Sequence, residues 1–149
     1  MSRAYDIPQQ TFERDLAYGE KGERVITEFL EQMSQGSFEV KTDRYRNGRM
    51  VVETQQNPQG WVDDTGDKVW VESGINVTTA KWWVYQYATD GAFYMVSVAR
   101  LKRYLKANRQ QFNERTKIEF GKDTDNPTLG YLLNVNHVLD LLTNENYDA

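Results

Sequence analysis

Two runs of alternating apolar and polar residues, Phe38-Glu39-Val40-Lys41-Thr42-Asp43 and Arg49-Met50-Val51-Val52-Glu53-Thr54-Gln55, flank the pair Asn47-Gly48. A period of two is the pattern of half-buried strands, and Asn-Gly between two such runs favours a tight turn, so this stretch predicts a β-hairpin. In the second run Val51, Glu53 and Gln55 fall on one face and Met50, Val52 and Thr54 on the other, because successive side chains point oppositely. Asp43 ends the first run. A two-residue loop at Asn47-Gly48 pairs Arg46 with Arg49 and sends Asp43 and Glu53 to opposite faces. A three-residue loop pairs Tyr45 with Arg49, leaves Gly48 left-handed beside a bulge, and sets Asp43 diagonal to Glu53 on one face. Asn-Gly serves either turn.

The rest of the chain supplies helices and further strands. Phe12, Leu16, Val25, Ile26, Phe29, Leu30 and Met33 recur at three- and four-residue steps, predicting an amphipathic helix whose regular part starts at about residue 20, after Gly19. Residues 56–67 are polar and punctuated by Pro58, Gly60 and Gly66, and read as a mobile loop. Short strands are expected at 69–71, 117–120 and 129–133, and longer ones at 83–88 and 92–98, with a helical turn over 78–83. Helices are expected at 100–111 and 135–142. This order predicts an α/β (α+β) fold, one domain over residues 1–149, with a central mixed sheet of about four to five strands containing the hairpin and flanked by helices.

Composition narrows the chemistry. With no cysteine, and His137 as the single histidine, thiolate and histidine metal clusters are excluded, so a metal site must be built from oxygen. No stretch approaches the roughly eighteen apolar residues of a membrane span, and the first residues lack the apolar core of a secretory signal, so a cytoplasmic protein with no membrane association is expected. The net charge of −4 does not favour an obligate nucleic-acid binder, yet Lys41, Arg44, Arg46 and Arg49 surround one short segment and Arg100, Lys102, Arg103, Lys106 and Arg109 another. The second group reads first as the wet face of a helix and second as a phosphate contact. Trp83 reads as core, Trp61 stays open between core and base stacking, and His137 reads as structural or exposed. If Asp43 and Glu53 converge, their repulsion is relieved by a divalent cation, and magnesium prefers such hard oxygen ligands.

Asp43, nine intervening residues and Glu53-Thr54-Gln55 resemble the PD-(D/E)XK motif of the restriction-endonuclease-like nuclease superfamily. Gly19-Glu20-Lys21-Gly22-Glu23 is similar to the start of the first helix in small phage and resolvase-like members, and Ser73-Gly74-Ile75, Thr78, Ala80 and Trp82-Trp83 to a segment that follows their hairpin. The resemblance covers about residues 17 to 85 and implies a restriction-endonuclease-like fold and an endonuclease that uses Mg2+ (or Mn2+) to hydrolyse DNA phosphodiester bonds. It implies Asp43, Glu53 and the Thr54 carbonyl as metal ligands, with Glu23, or next Glu20, joining from the helix. Lys41, Arg44, Arg46 and Lys81 would steer the DNA phosphates. A homodimer is common among such proteins, and a phage-encoded one works in the host cytoplasm. Gln55 stands where the catalytic lysine usually does and cannot carry its charge, although Lys41 or Lys81 could supply one. The alternative is therefore a catalytically inactive nuclease-fold protein acting in nucleic-acid binding or assembly. A third reading is an unrelated α+β interaction protein whose carboxylates face solvent.

Overall fold

The structure, a computed structural model, describes residues 35–45 and 47–149, preceded by residues 24, 28 and 31–33. The chain divides into two compact units, Met1–Gly36 and Ser37–Ala149. In the first, residues 24, 28 and 31–33 are helical and lie within the predicted first helix, whereas Glu20 and Glu23 fall outside the described residues.

The second unit contains seven strands: β1 (Phe38–Asp43), β2 (Met50–Gln56), β3 (Val71–Glu72), β4 (Trp82–Tyr87), β5 (Phe93–Ser97), β6 (Ile118–Phe120) and β7 (Thr128–Leu133). Helix α1 (Val98–Ala107) follows β5 and α2 (Val135–Thr143) follows β7. Both helices start where the sequence supplies a cap. The Ser97 hydroxyl accepts a hydrogen bond from the Arg100 N–H, and Asn134 forms a capping box with His137, whose Nδ1 accepts from the Asn134 N–H at 3.1 Å. His137 is thereby structural.

The architecture is α+β, with two sheets where one was expected. The first has the order β1-β4-β5, β1 running parallel to β4; the second has the order β3-β2-β7-β6 and is antiparallel throughout. The expected hairpin does not form. Gly48 takes the left-handed conformation the turn requires, at φ 73°, but β1 and β2 diverge after it, one pairing with β4 and the other with β7. Local turn chemistry was satisfied; strand partners were set by long-range burial, which a hairpin signal does not contain. A single core joins the sheets and helices, with Met50, Val52, Trp83, Leu101, Leu133 and Leu141 all buried. The expectation of Trp83 in the core holds, while Trp61 is exposed.

β1 is an edge strand with an inverted pattern. Its apolar residues Phe38 and Val40 are exposed, while Glu39, Lys41 and Asp43 are partly buried. The register explains this. Glu39, Lys41 and Asp43 pair with Trp83, Tyr85 and Tyr87, the core-facing residues of β4, so the polar side of β1 is turned inward. Residues 56–67, expected as a mobile loop, are tied at both ends: the buried Asn57 donates from its amide to the Trp61 and Val69 carbonyls at 2.7 and 2.9 Å. Among the described residues no helix is long and apolar enough to cross a membrane.

Candidate functional site

The inward polar face of β1 and the outer face of β2 line one cavity of about 590 Å³, and Asp43 and Glu53 both open onto it. The two carboxylates therefore open onto one cavity without the hairpin. Asp43 ends β1, where the strand leaves its sheet, and each of its oxygens is held: the Tyr85 hydroxyl donates to Oδ2 at 2.6 Å and the Tyr45 N–H to Oδ1 at 2.9 Å. A carboxylate oxygen has two acceptor positions, so one per oxygen stays open for a cation or a proton donor. Burial, followed by the Asp43 hydrogen bond, pushes the Tyr85 phenol well above its ordinary value, which keeps it a donor to Asp43 at working pH.

Glu53 sits mid-strand on β2, and two glycines let neighbouring backbone close on it. A Cβ at Gly74, which has φ 53°, would overlap the Glu53 carbonyl, and one at Gly130 would overlap the Val52 carbonyl. The Ser73-Gly74-Ile75 segment is thus a backbone support behind Glu53. Lys41 brings the cation nearest to the carboxylates: its Nζ lies 3.8 Å from Glu53 Oε2 and 3.1 Å from Glu39 Oε1, and 5.8 Å from the centre of the Trp83 ring. Arg44 lines the same cavity, as does Arg49, which sequence reasoning counted only in a charge cluster.

Gln55 departs from expectation. The β2–β7 ladder shifts register between Glu53 and Gln55, so Glu53 opposes Gly130 and Gln55 opposes Leu129. Directly opposed residues of antiparallel strands share a face, and adjacent residues alternate, so the bulge puts Gln55 on the face opposite Glu53. Its hydrogen bonds agree. The Gln55 amide donates to Glu72 Oε1 at 3.0 Å and accepts from Lys117 Nζ at 3.0 Å, and Lys117 lies 2.6 Å from Glu114 Oε1 and 6.0 Å from the Tyr131 ring centre. Gln55 links an ionic chain behind the sheet and does not line the carboxylate cavity.

The remaining expected residues divide. The Thr54 carbonyl accepts from the Ser73 N–H at 2.9 Å and the Asn76 amide at 3.3 Å, so both of its acceptor positions are engaged within the protein. Lys81 is exposed at the start of β4, where its N–H bonds the Ser37 carbonyl. Six residues of extended chain separate that point from Asp43, which is roughly 20 Å at about 3.3 Å per residue, so Lys81 is not part of the cavity. Arg46 and Glu23 lie outside the described residues. Among the described residues no third acidic or histidine side chain completes a metal-binding group with Asp43 and Glu53. Two carboxylates still suit magnesium, which keeps several waters and commonly takes only one or two carboxylates from the protein.

The chain matches no protein-family model, no curated protein and no solved structure.

Proposed function

We propose that the chain is a divalent-metal-dependent nuclease of restriction-endonuclease-like type that hydrolyses DNA phosphodiester bonds at the Asp43–Glu53 cavity. One observation carries the reading: two carboxylates from strands of different sheets line one cavity whose other charged groups among the described residues, Lys41, Arg44 and Arg49, are cations. Asp43 and Glu53 would hold Mg2+ or Mn2+, which when bound supplies Lewis acidity toward a phosphodiester. Lys41 places positive charge beside Glu53, the role expected of the lysine that Gln55 does not provide. Tyr85 orients Asp43 by donating to one oxygen and leaves its other acceptor position open. Arg44 and Arg49 draw the DNA phosphates toward the carboxylates.

The displacement of Gln55 favours a second reading, a nuclease-fold protein that binds nucleic acid without cutting it. Incubation with plasmid, single-stranded and four-way-junction DNA in magnesium or manganese separates the two. The nuclease reading expects cutting that chelation abolishes and that Asp43→Asn or Glu53→Gln lowers by about two orders of magnitude or more. Binding without cutting selects the second reading, and neither binding nor cutting removes both.

A further inference from the structure

The five basic residues between Arg100 and Arg109 do two different jobs. Arg100 donates from Nε to the Leu141 carbonyl and from one terminal nitrogen to the Asn144 carbonyl, both at 2.6 Å, and pairs with Asp148 through the other, while Arg103 donates to the Tyr147 carbonyl at 2.8 and 2.9 Å. These two arginines satisfy carbonyls at and beyond the end of α2, where helix termini leave acceptors unfilled. Lys102, Lys106 and Arg109 behave otherwise. They line a pocket of about 360 Å³ with Asn76, Phe112 and Tyr131, and among the described residues no carboxylate lines it and none of the three cations has an ion pair.

The pocket lies away from the carboxylate cavity. Tyr131 opposes Val52 in the β2–β7 ladder, which places it on the core-side face, whereas Glu53 belongs to the other. Lys102 and Lys106 stand one turn apart on α1, about 6 Å along its axis, and Arg109 continues past the helix end. Spaced four and three residues apart, the three cations follow one side of α1 and its continuation. A line of cations with no ion-pair partner among the described residues, on a protein of net charge −4, matches a strand of phosphates, each a fixed negative charge at short repeat.

We propose that this pocket is a second DNA contact, one that grips the phosphate backbone of a segment other than the one at the carboxylate cavity. It goes beyond the nuclease reading and stands without it, because the contact needs neither metal nor cutting.

The test is fluorescence anisotropy of a labelled DNA duplex with the full chain in chelator, across about 50 to 200 mM salt. The triple variant Lys102→Gln, Lys106→Gln, Arg109→Gln should lower the slope of log affinity against log salt by about 2 to 3, at roughly 0.9 per phosphate contact. The chelator suppresses metal-dependent cutting, so loss of this contact is read separately from loss of cleavage. A comparison variant removing three exposed cations elsewhere, Arg115→Gln, Lys122→Gln and Lys81→Gln, should change it by less than half as much. An unchanged slope in the first triple variant overturns the proposal, as does an equal change in the second. Polyglutamate or anionic vesicles competing as well as unlabelled duplex would also overturn it. Far-ultraviolet circular dichroism of each variant confirms folding, and if the triple variant is unfolded the single Lys106→Gln variant, with an expected slope change near one, decides.

Discussion

The two faces of β2 are built from the same seven residues and do opposite work. Toward the core, Met50, Val52 and Thr54 are fully buried, the first two in the hydrophobic cluster and the third bonded to the Leu129 carbonyl; toward the cavity, Val51 and Glu53 are only partly covered and Glu53 faces Lys41 of β1. Past the bulge at Thr54 the assignment reverses, and Gln55 joins the core-side rim with Lys117 and Glu72. One face therefore stabilises the fold, the other presents chemistry, and a single extra residue in the strand decides which side the motif's last member occupies.

The largest effect that tests this contrast is in stability. Met50→Ala removes a fully buried side chain and should cost about 2 to 4 kcal/mol, whereas Val51→Ala, which trims a half-buried side chain at the edge of the core, should cost about 1 kcal/mol. Urea denaturation of both variants measures the gap. Equal losses would mean that the cavity face is core as well, and the cavity reading would fall.

Next in size is a substitution that pits the bulge against simple alternation. If Gln55 shared a face with Glu53, Gln55→Lys would place a lysine in the site and raise metal-dependent cutting. The observed register instead puts a second ammonium beside the buried Lys117 and removes its acceptor, with Glu72 offsetting part of the repulsion, so the variant should lose about 1 kcal/mol, with no gain in cutting. A thermal melt and a cleavage assay on one preparation read both outcomes. Increased cutting would sink the register argument.

These contrasts also mark what could be read from residues alone. The positions of β1, β2, β4, β5 and β7 were legible because each carries a period-two or apolar run bounded by turn residues, and α1 and α2 because their apolar faces recur at helical spacing. The alternation Val51, Glu53 against Met50, Val52 was legible for the same reason. Partners were not. That β1 pairs in parallel with β4, setting Lys41 opposite Tyr85, depends on residues more than forty positions apart, and no local signal encodes it. Tyr85 was missed for that reason. The bulge at Thr54 was missed because nothing in Glu53-Thr54-Gln55 departs from a regular strand pattern; it arises where Gly74 and Gly130 press against the backbone of β2. Arg100 and Arg103 could not be told apart from Lys102 and Lys106, since only the fold brings the end of α2 to them.

The smallest effect compares two tyrosines, Tyr85 at the carboxylate cavity and Tyr104 in the packing of α1. Burial, then the charges of Asp140 and Tyr147, push Tyr104 up to about 12, and burial, then Asp43, push Tyr85 higher still, from an ordinary value of 10.0. The fold therefore favours the neutral phenol in both. Below about pH 10 folded and unfolded chains both carry neutral tyrosines and this preference is fully present; above it the unfolded chain loses protons first, so stability falls as pH rises toward the folded values. Urea midpoints should accordingly be flat from about pH 8 to 9.5 and decline beyond, and Tyr104→Phe and Tyr85→Phe should each make the decline shallower. The two variants should differ below that range. Tyr85→Phe takes away a donor from Asp43 and should alter metal-dependent cutting, while Tyr104→Phe should leave cutting unchanged, because no hydrogen bond joins its hydroxyl to the cavity. Equal effects of both variants on cutting would show that Asp43 is insensitive to Tyr85 and that the two regions are not chemically distinct.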